Sequence, residues 1–576
     1  MKNRNSQYGA ICILSCFCAL MPIFVFGQDD LDTIEFVVTG NYNPTISDAY
    51  KISDYPTIDA KPLLKPTLNY SIKSEKFVSD FEVVPVKPAR IKGEPLQKLY
   101  KAYIKLGGGS PGIFAADAYY NSLRSKRKSW GAHIKHLSSA GNVEGVGYSG
   151  FSDSHFNLYG KKFLRKHTLS GGLDYNMNNM HYYGFDTTDA VIAALDESIT
   201  GRTATLQKFN IMGGYGRLLS HYKDSSALNY DVMLTYYNWQ DHYETMENNF
   251  TLSSDLTTFL PSSEFVQIYF KMDYNDDRFY KDADSMRILA NTVLVLRPEI
   301  TTCGPKYKFT VGVNGSMEVT GDLWARLYIA PRVYFSYNLV KDLLIPYVGV
   351  GGGLKRNSLR VLSAENPFIM TDIHDDNSNT SVNNTINSIK VYGGVKGEFS
   401  ATSSFTLSVT RDKLDNQFFY VNDTTNGLGN KFGIIYDNVA LLNFHGEMSY
   451  SFMSKIKLML LGDINKYKMD KQDKPWHQPG YKIALMASYN LKEKIIVKAD
   501  IFAIGEAYAR EYDESGSPVA VKLRSVVDLN LELEYRYTRK LSTYLRLNNL
   551  SAQRYYRWNQ YPTMRFSFLG GLTYIF

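Results

Sequence analysis

From about residue 99 to its end the chain alternates apolar and polar residues with a period of two. Val527, Leu529, Leu531, Leu533, Tyr535 and Tyr537 alternate with Asp528, Asn530, Glu532, Glu534, Arg536 and Thr538. Ala325, Leu327, Ile329, Pro331, Val333, Phe335 and Tyr337 alternate in the same way with Arg326, Tyr328, Ala330, Arg332, Tyr334 and Ser336. Successive side chains of a strand point to opposite faces, so each stretch has one apolar and one polar face. One such stretch alone also suits an antiparallel sandwich with one wet face. Repetition over nearly five hundred residues points instead to a transmembrane β-barrel, with lipid outside and a polar lumen inside. The last stretch, Arg565 to Phe576, has an apolar or small residue at every even position and ends in an aromatic. Its Phe568, Leu572, Tyr574 and Phe576 are read as the C-terminal signal taken up by the barrel-assembly machinery. The strand itself must close on the first one, because hydrocarbon offers nothing to an unpaired backbone edge.

Stretches of this kind predict an all-β fold, an antiparallel transmembrane barrel of about 22 strands within a range of roughly 20 to 24. The segment 411–440 leaves room for an extra pair. With the N-terminal segment in the periplasm, the first strand runs outward and the last returns. The long connections 139–152, 179–205, 354–387, 412–434, 466–479 and 505–522 then fall on the outer rim. Short turns such as Arg165-Lys166, Lys341-Asp342 and Arg539-Lys540 fall on the inner one.

The residues before the barrel differ in kind. Lys2 and Arg4 precede an apolar run from Ala10 to Phe26, and Val25-Phe26-Gly27 provides a small-residue exit before Gln28, so residues 1–27 read as a secretory signal peptide cleaved near Gly27. Residues 28–97 hold seven of the nineteen prolines. Proline cannot donate to a ladder, so this is an extended segment rather than barrel wall. Three placements stay open for it: filling the lumen, hanging in the periplasm, or binding a partner. The barrel takes residues 98–576.

Composition agrees with this division. Forty-four tyrosines and thirty-one phenylalanines are an aromatic load far above a soluble norm. Cys12, Cys16 and Cys18 lie in the signal, leaving Cys303 alone in the mature chain and no internal disulfide. The formal charge of +7 falls by the two residues Lys2 and Arg4 on cleavage, too mild and dispersed a balance for nucleic acid.

The strand number, the ending Leu547-Asn548-Asn549-Leu550-Ser551 followed by Tyr555-Tyr556-Arg557-Trp558 and the aromatic last strand, and the segment Glu35-Phe36-Val37-Val38-Thr39-Gly40 together resemble a TonB-dependent receptor of the kind abundant in Bacteroidota. The resemblance implies a Gram-negative outer membrane and uptake of a solute or nutrient. It also implies that Glu35 to Gly40 acts as the box that engages TonB. The chain departs from the family in one respect: such receptors carry a globular plug of well over a hundred residues, and only about seventy precede the first strand here. That departure puts energy-coupled import in doubt and raises the alternative of a non-transporting barrel that scaffolds an envelope complex through another periplasmic or outer-membrane protein.

Little in the sequence argues for an enzyme or a cofactor. His133 and His136 are three apart on a strand and point to opposite faces, which rejects them as a metal pair. Asp276, Asp277, Asp282 and Asp284, and Asp372 with His374, Asp375 and Asp376, are expected in outer loops as solvated charge, without the spacing of a calcium loop. No phosphate loop, dinucleotide fingerprint or paired-cysteine site occurs. A lipid-acting barrel enzyme would need a serine or acidic site at the outer rim, and no one trio is singled out. The basic run Arg124-Ser125-Lys126-Arg127-Lys128 is expected at an inner turn near anionic headgroups. Tyr182, Tyr183, Trp239, Trp324 and Trp558 are expected to form interfacial girdles.

Overall fold

The first strand, Ala102–Ser110, pairs on one side with Ile113–Asn121 and on the other with the last strand, Ser567–Ile575. That second pairing closes a barrel of 22 antiparallel strands, the expected number, each joined to its sequence neighbour. The computed structural model describes residues 99–576 apart from 142, 223–226, 262–263, 283–284, 321–324, 372–381, 424–427, 454 and 514. The signal peptide, the proline-rich segment and Glu35 to Gly40 therefore lie outside the described residues. So do Asp284, Trp324, Asp372, His374, Asp375 and Asp376.

Alternation sets the faces as the sequence predicts. Leu327 and Ile329 point outward with 65% and 69% of their surface exposed, while Arg332, two strands from Glu299 across the lumen wall, pairs with its carboxylate. On the last strand Phe568, Leu572 and Tyr574 point outward, and the Phe576 N–H donates to the Ala102 carbonyl at 3.0 Å. His133 and His136 diverge: His133 Nε2 meets Asp117 Oδ1 at 2.9 Å on the lumen side, and His136 Nδ1 meets Ser154 Oγ at 2.8 Å on the outer side. Cys303 is a free, exposed thiol.

Four strands run longer than the pattern predicts. Glu264–Asp282 and Ser285–Cys303 have 19 residues each, and Ser403–Asn422 and Phe432–Phe452 have 20 and 21. Asp276 and Asp277 are thus not solvated loop residues: they sit in a strand with 4% and 5% exposure, where Asp276 pairs with Arg278 at 2.5 Å. Most of the loop expected at 412–434 is the extended hairpin, and no extra strand pair occurs there among the described residues. The other long connections are on the outer rim as expected. They hold a helix, Leu359–Glu365, capped by Ser358, and two small hairpins, Ala507–Tyr512 with Pro518–Leu523 and Tyr556–Trp558 with Tyr561–Pro562.

Candidate functional site: a mouth closed by its own loops

A ring of 22 strands spaced about 4.8 Å apart and tilted by about 40° is roughly 40 Å across. Such a mouth stays open unless something bridges it, and the outer loops of this chain do so. Tyr182, in the connection after the fifth strand, accepts at its backbone carbonyl from Asn430 Nδ2 at 2.7 Å. Asn430 lies after the fifteenth strand, ten places away on a ring of 22, almost diametrically opposite. The Asn430 carbonyl accepts in turn from the Tyr561 hydroxyl, in the connection before the last strand. Tyr182 also donates its hydroxyl to the Ile369 carbonyl at 2.9 Å, and Tyr183 donates to the Pro562 carbonyl at 3.2 Å.

Around these bonds the loops have a hydrophobic core of their own. Trp239, Tyr420, Phe432, Leu362, Trp558 and Tyr561 form its centre, each nearly or completely buried. Phe368 stacks on Tyr561 with ring centroids 3.6 Å apart. The sequence reading of these aromatics as an interfacial girdle is therefore overturned: Tyr182, Trp239 and Trp558 are 1%, 0% and 6% exposed, and Tyr183 packs against the same core. They lie at the outer end of the barrel wall and in the loops over it, where apolar surface is covered by protein rather than by lipid.

The extended hairpin is the middle layer of this cap. Phe418 and Tyr420 face the first cluster, and Phe419 and Val421 face a second one with Val439 and Trp476. Both faces being dry, the strand reads Phe418-Phe419-Tyr420-Val421 without alternation. His477 binds the layers together. Its backbone N–H donates to the Tyr508 carbonyl at 2.8 Å, its Nδ1 lies 3.0 Å from the Tyr420 carbonyl, and its Nε2 lies 3.3 Å from the Asn559 N–H. These partners require the neutral ring protonated at Nδ1. Burial favours the same form and pulls its pKa down to about 4.

On the opposite wall the cap is fastened by carboxylates. The helix Leu359–Glu365 directs its N-terminal amides at Glu247, whose Oε2 accepts from Leu359 at 2.6 Å while Oε1 accepts from the Tyr237 hydroxyl. Glu247 is fully buried, so an unmade bond there would cost the full desolvation of the groups concerned. Arg356, just before the helix, meets Asp273 at 2.8 Å and donates to the Tyr237 hydroxyl at 3.2 Å. Asp241 receives the Thr371 hydroxyl as well as the Tyr243 and Thr245 amides. One loop is thus pinned at its start, helix and middle by three neighbouring strands and their turn. Beneath it a cavity of about 670 Å³ opens on the lumen side, lined by Asp174, Asn176, Tyr215, Lys271 and Arg360 among others. Hydrogen-bonding groups of both signs over aromatic rings suit a polar solute better than an apolar one.

The aromatics of this site stand out in the sequence and its carboxylates do not. The signal for Glu247 and Asp273 was present as acidic residues at lumen positions high on their strands, but their partners lie about a hundred residues on. The basic run Arg124 to Lys128 is at an inner turn as expected, with its side chains exposed.

No protein-family model and no curated protein matches the sequence. Solved structures do match the fold. The pyoverdine outer-membrane receptor FpvA of Pseudomonas aeruginosa PAO1, solved bound to pyoverdine, has a TM-score of 0.65 at 13% identity, over 84% of this chain and 79% of that one. The FrpB iron transporter of Neisseria meningitidis has 0.65 at 9% identity over 84% and 82%, and the siderophore receptor PirA of Acinetobacter baumannii 0.62 at 9% over 84% and 81%. With its 22 closed strands, this chain carries the barrel fold of those outer-membrane receptors.

Proposed function

We propose that the protein is an outer-membrane uptake receptor for a polar solute or nutrient, with its outer mouth shut by its own loops in this structure. The observation that carries the reading is the cap. A barrel serving only as a channel has no need of loops bonded across its diameter, whereas a receptor that admits cargo on demand needs a closure that can be released. The shared fold with iron and siderophore receptors supports the same reading, which is a transporter and not an enzyme. In this proposal residues 1–27 direct export, the barrel-assembly machinery reads Phe568, Leu572, Tyr574 and Phe576, and residues 28–97 carry the contact to the energy source. Within that segment, Glu35 to Gly40 engages TonB.

The sealed mouth also favours a second reading, in which the barrel transports nothing and scaffolds an envelope complex. The two part company in cells that make either the full chain or a chain lacking residues 35–40. Accumulation of radiolabelled ferric siderophores, cobalamin and oligosaccharides would be compared with that of cells lacking the protein. Uptake of one solute that depends on the protein and is lost with residues 35–40 supports the receptor. Unchanged accumulation of every solute, with a protein partner co-purifying equally with both chains, overturns it in favour of the scaffold.

A further inference from the structure

The inner turns gather positive charge that the chain's modest net value conceals. Arg124, Lys126 and Arg127 occupy one turn and Arg165 and Lys166 the next, all exposed. Between them stand Lys128, the first residue of the third strand, and Lys162 near the end of the fourth, which are direct Cα partners in the ladder. Both occupy the outward face, in line with Trp130 and Ile134 on one strand and Phe156 and Leu158 on the other, all of them exposed apolar residues of the barrel's outer belt.

Side chains directly opposite in a ladder have Cβ atoms about 5 Å apart, and like charges there repel. Nothing on the same face offsets the pair. Lys162 is flanked on its other side by Leu169, the next ladder step on the outward face is Trp130 with Gly160, and no carboxylate ion-pairs with either ammonium among the described residues. Just above, Trp130 and Tyr120 lie tilted at 40° with ring centroids 5.6 Å apart, the two residue types that gather at headgroup level. Two unpaired cations below an aromatic step, on the lipid-facing side, suit an anion whose remainder is hydrocarbon.

We propose that Lys128 and Lys162 bind the phosphate of an anionic phospholipid of the inner leaflet, with Trp130 and Tyr120 packed along its upper part. The lipid relieves the repulsion between the lysines and marks this side of the barrel with one preferred lipid. The test uses the full-length protein in detergent, titrated with dihexanoylphosphatidylglycerol, dihexanoylphosphatidylcholine or inorganic phosphate and read by native mass spectrometry. Phosphatidylglycerol is expected to bind roughly tenfold more tightly than the choline lipid, and Lys128→Gln with Lys162→Gln to abolish the difference. Lys492→Gln with Lys494→Gln removes the same charge from another inner turn and is expected to leave it intact. Fast migration of unheated samples in gels checks that each variant is folded, and Lys162→Gln alone replaces the double variant if that one fails. Equal binding of the two lipids by the unmodified protein, preference retained without the lysines, or loss in both double variants alike would each overturn the site. Inorganic phosphate competing as well as the lipid would assign the lysines to a free anion and overturn it too.

Discussion

Oε2 of Glu247 accepts the backbone N–H of Leu359 at 2.6 Å, joining the eighth strand to a helix 112 residues on and fixing the cap to the barrel wall. The bond is charge-assisted and buried, and the same carboxylate also receives Arg360 N and the Tyr237 hydroxyl. Glu247→Ala strands all three donors. Such a loss costs about 2 kcal/mol or more, which raises local opening by roughly thirtyfold. Amide hydrogen exchange at Leu362 and Asn366, whose N–H groups close the helix, is expected to accelerate by that factor while the barrel strands stay protected. Unchanged exchange in the helix would mean that the carboxylate does not hold the cap.

What the sequence makes legible follows from solvent. Where a strand has lipid on one side and lumen on the other, alternation is obligatory, and every membrane-level strand is found where the period of two places it. Above the membrane the rule lapses. Phe418 to Val421 are apolar on both faces because protein covers both, so a strand resembles a loop, and Asp276 and Asp277 look solvated when they are buried in a strand. The cap is illegible for a further reason. Tyr182, Asn430 and Tyr561 meet across a ring whose circumference, rather than any local spacing, decides who faces whom.

His477 makes the cap sensitive to acid. Its pKa is about 4 when buried and about 6.5 when the cap is open and the ring is wet, so the open form binds more protons between these values. Stability of the closed form is therefore complete above about pH 6.5, falls as pH drops through that window, and levels off below about 4. The loss approaches about 3 kcal/mol. Trp476 and Trp558, both buried in the cap, report the change. Acrylamide quenching of tryptophan fluorescence is expected to rise between pH 6.5 and 4 in the unmodified protein and to lose most of that rise in His477→Gln. The same rise in both proteins would place the titrating group elsewhere.

The seam between the first and last strands is built from glycine, and Tyr544 explains why. Gly107 pairs with Gly571 and Gly108 with Gly570, and the Tyr544 ring lies across the first pair with Lys105 3.9 Å above its centroid. A Cβ on Gly107 would come within 2.1 Å of the Tyr544 hydroxyl, and one on Gly571 within 2.0 Å of the Leu106 carbonyl. Gly107→Ala is expected to cost about 1 to 3 kcal/mol and to lower the folded, fast-migrating fraction in unheated gels. Adding Tyr544→Phe removes the nearest clashing atom and should restore much of that fraction. Gly571→Ala meets the Leu106 carbonyl more closely than it meets the Tyr544 hydroxyl at 2.7 Å, so the same addition should restore much less. Equal rescue of both would show that the ring does not set the spacing of the seam.

Closure across the mouth depends most on Tyr561, which packs among Phe368, Phe432 and Tyr183 and donates its hydroxyl to Asn430. Truncating a buried aromatic of this size costs about 3 to 5 kcal/mol, enough to raise the open population more than a hundredfold. In planar bilayers the mature protein is expected to conduct rarely and Tyr561→Ala to conduct persistently. The purified chain lacking residues 28–97 completes the comparison. Because the loops alone span the ring, that deletion is expected to leave conductance as low as in the mature protein, and to add to conductance only when Tyr561 is also replaced. A large conductance from the deletion by itself would transfer the closure from the cap to the N-terminal segment, and the loops over the mouth would then serve to select cargo rather than to hold it out.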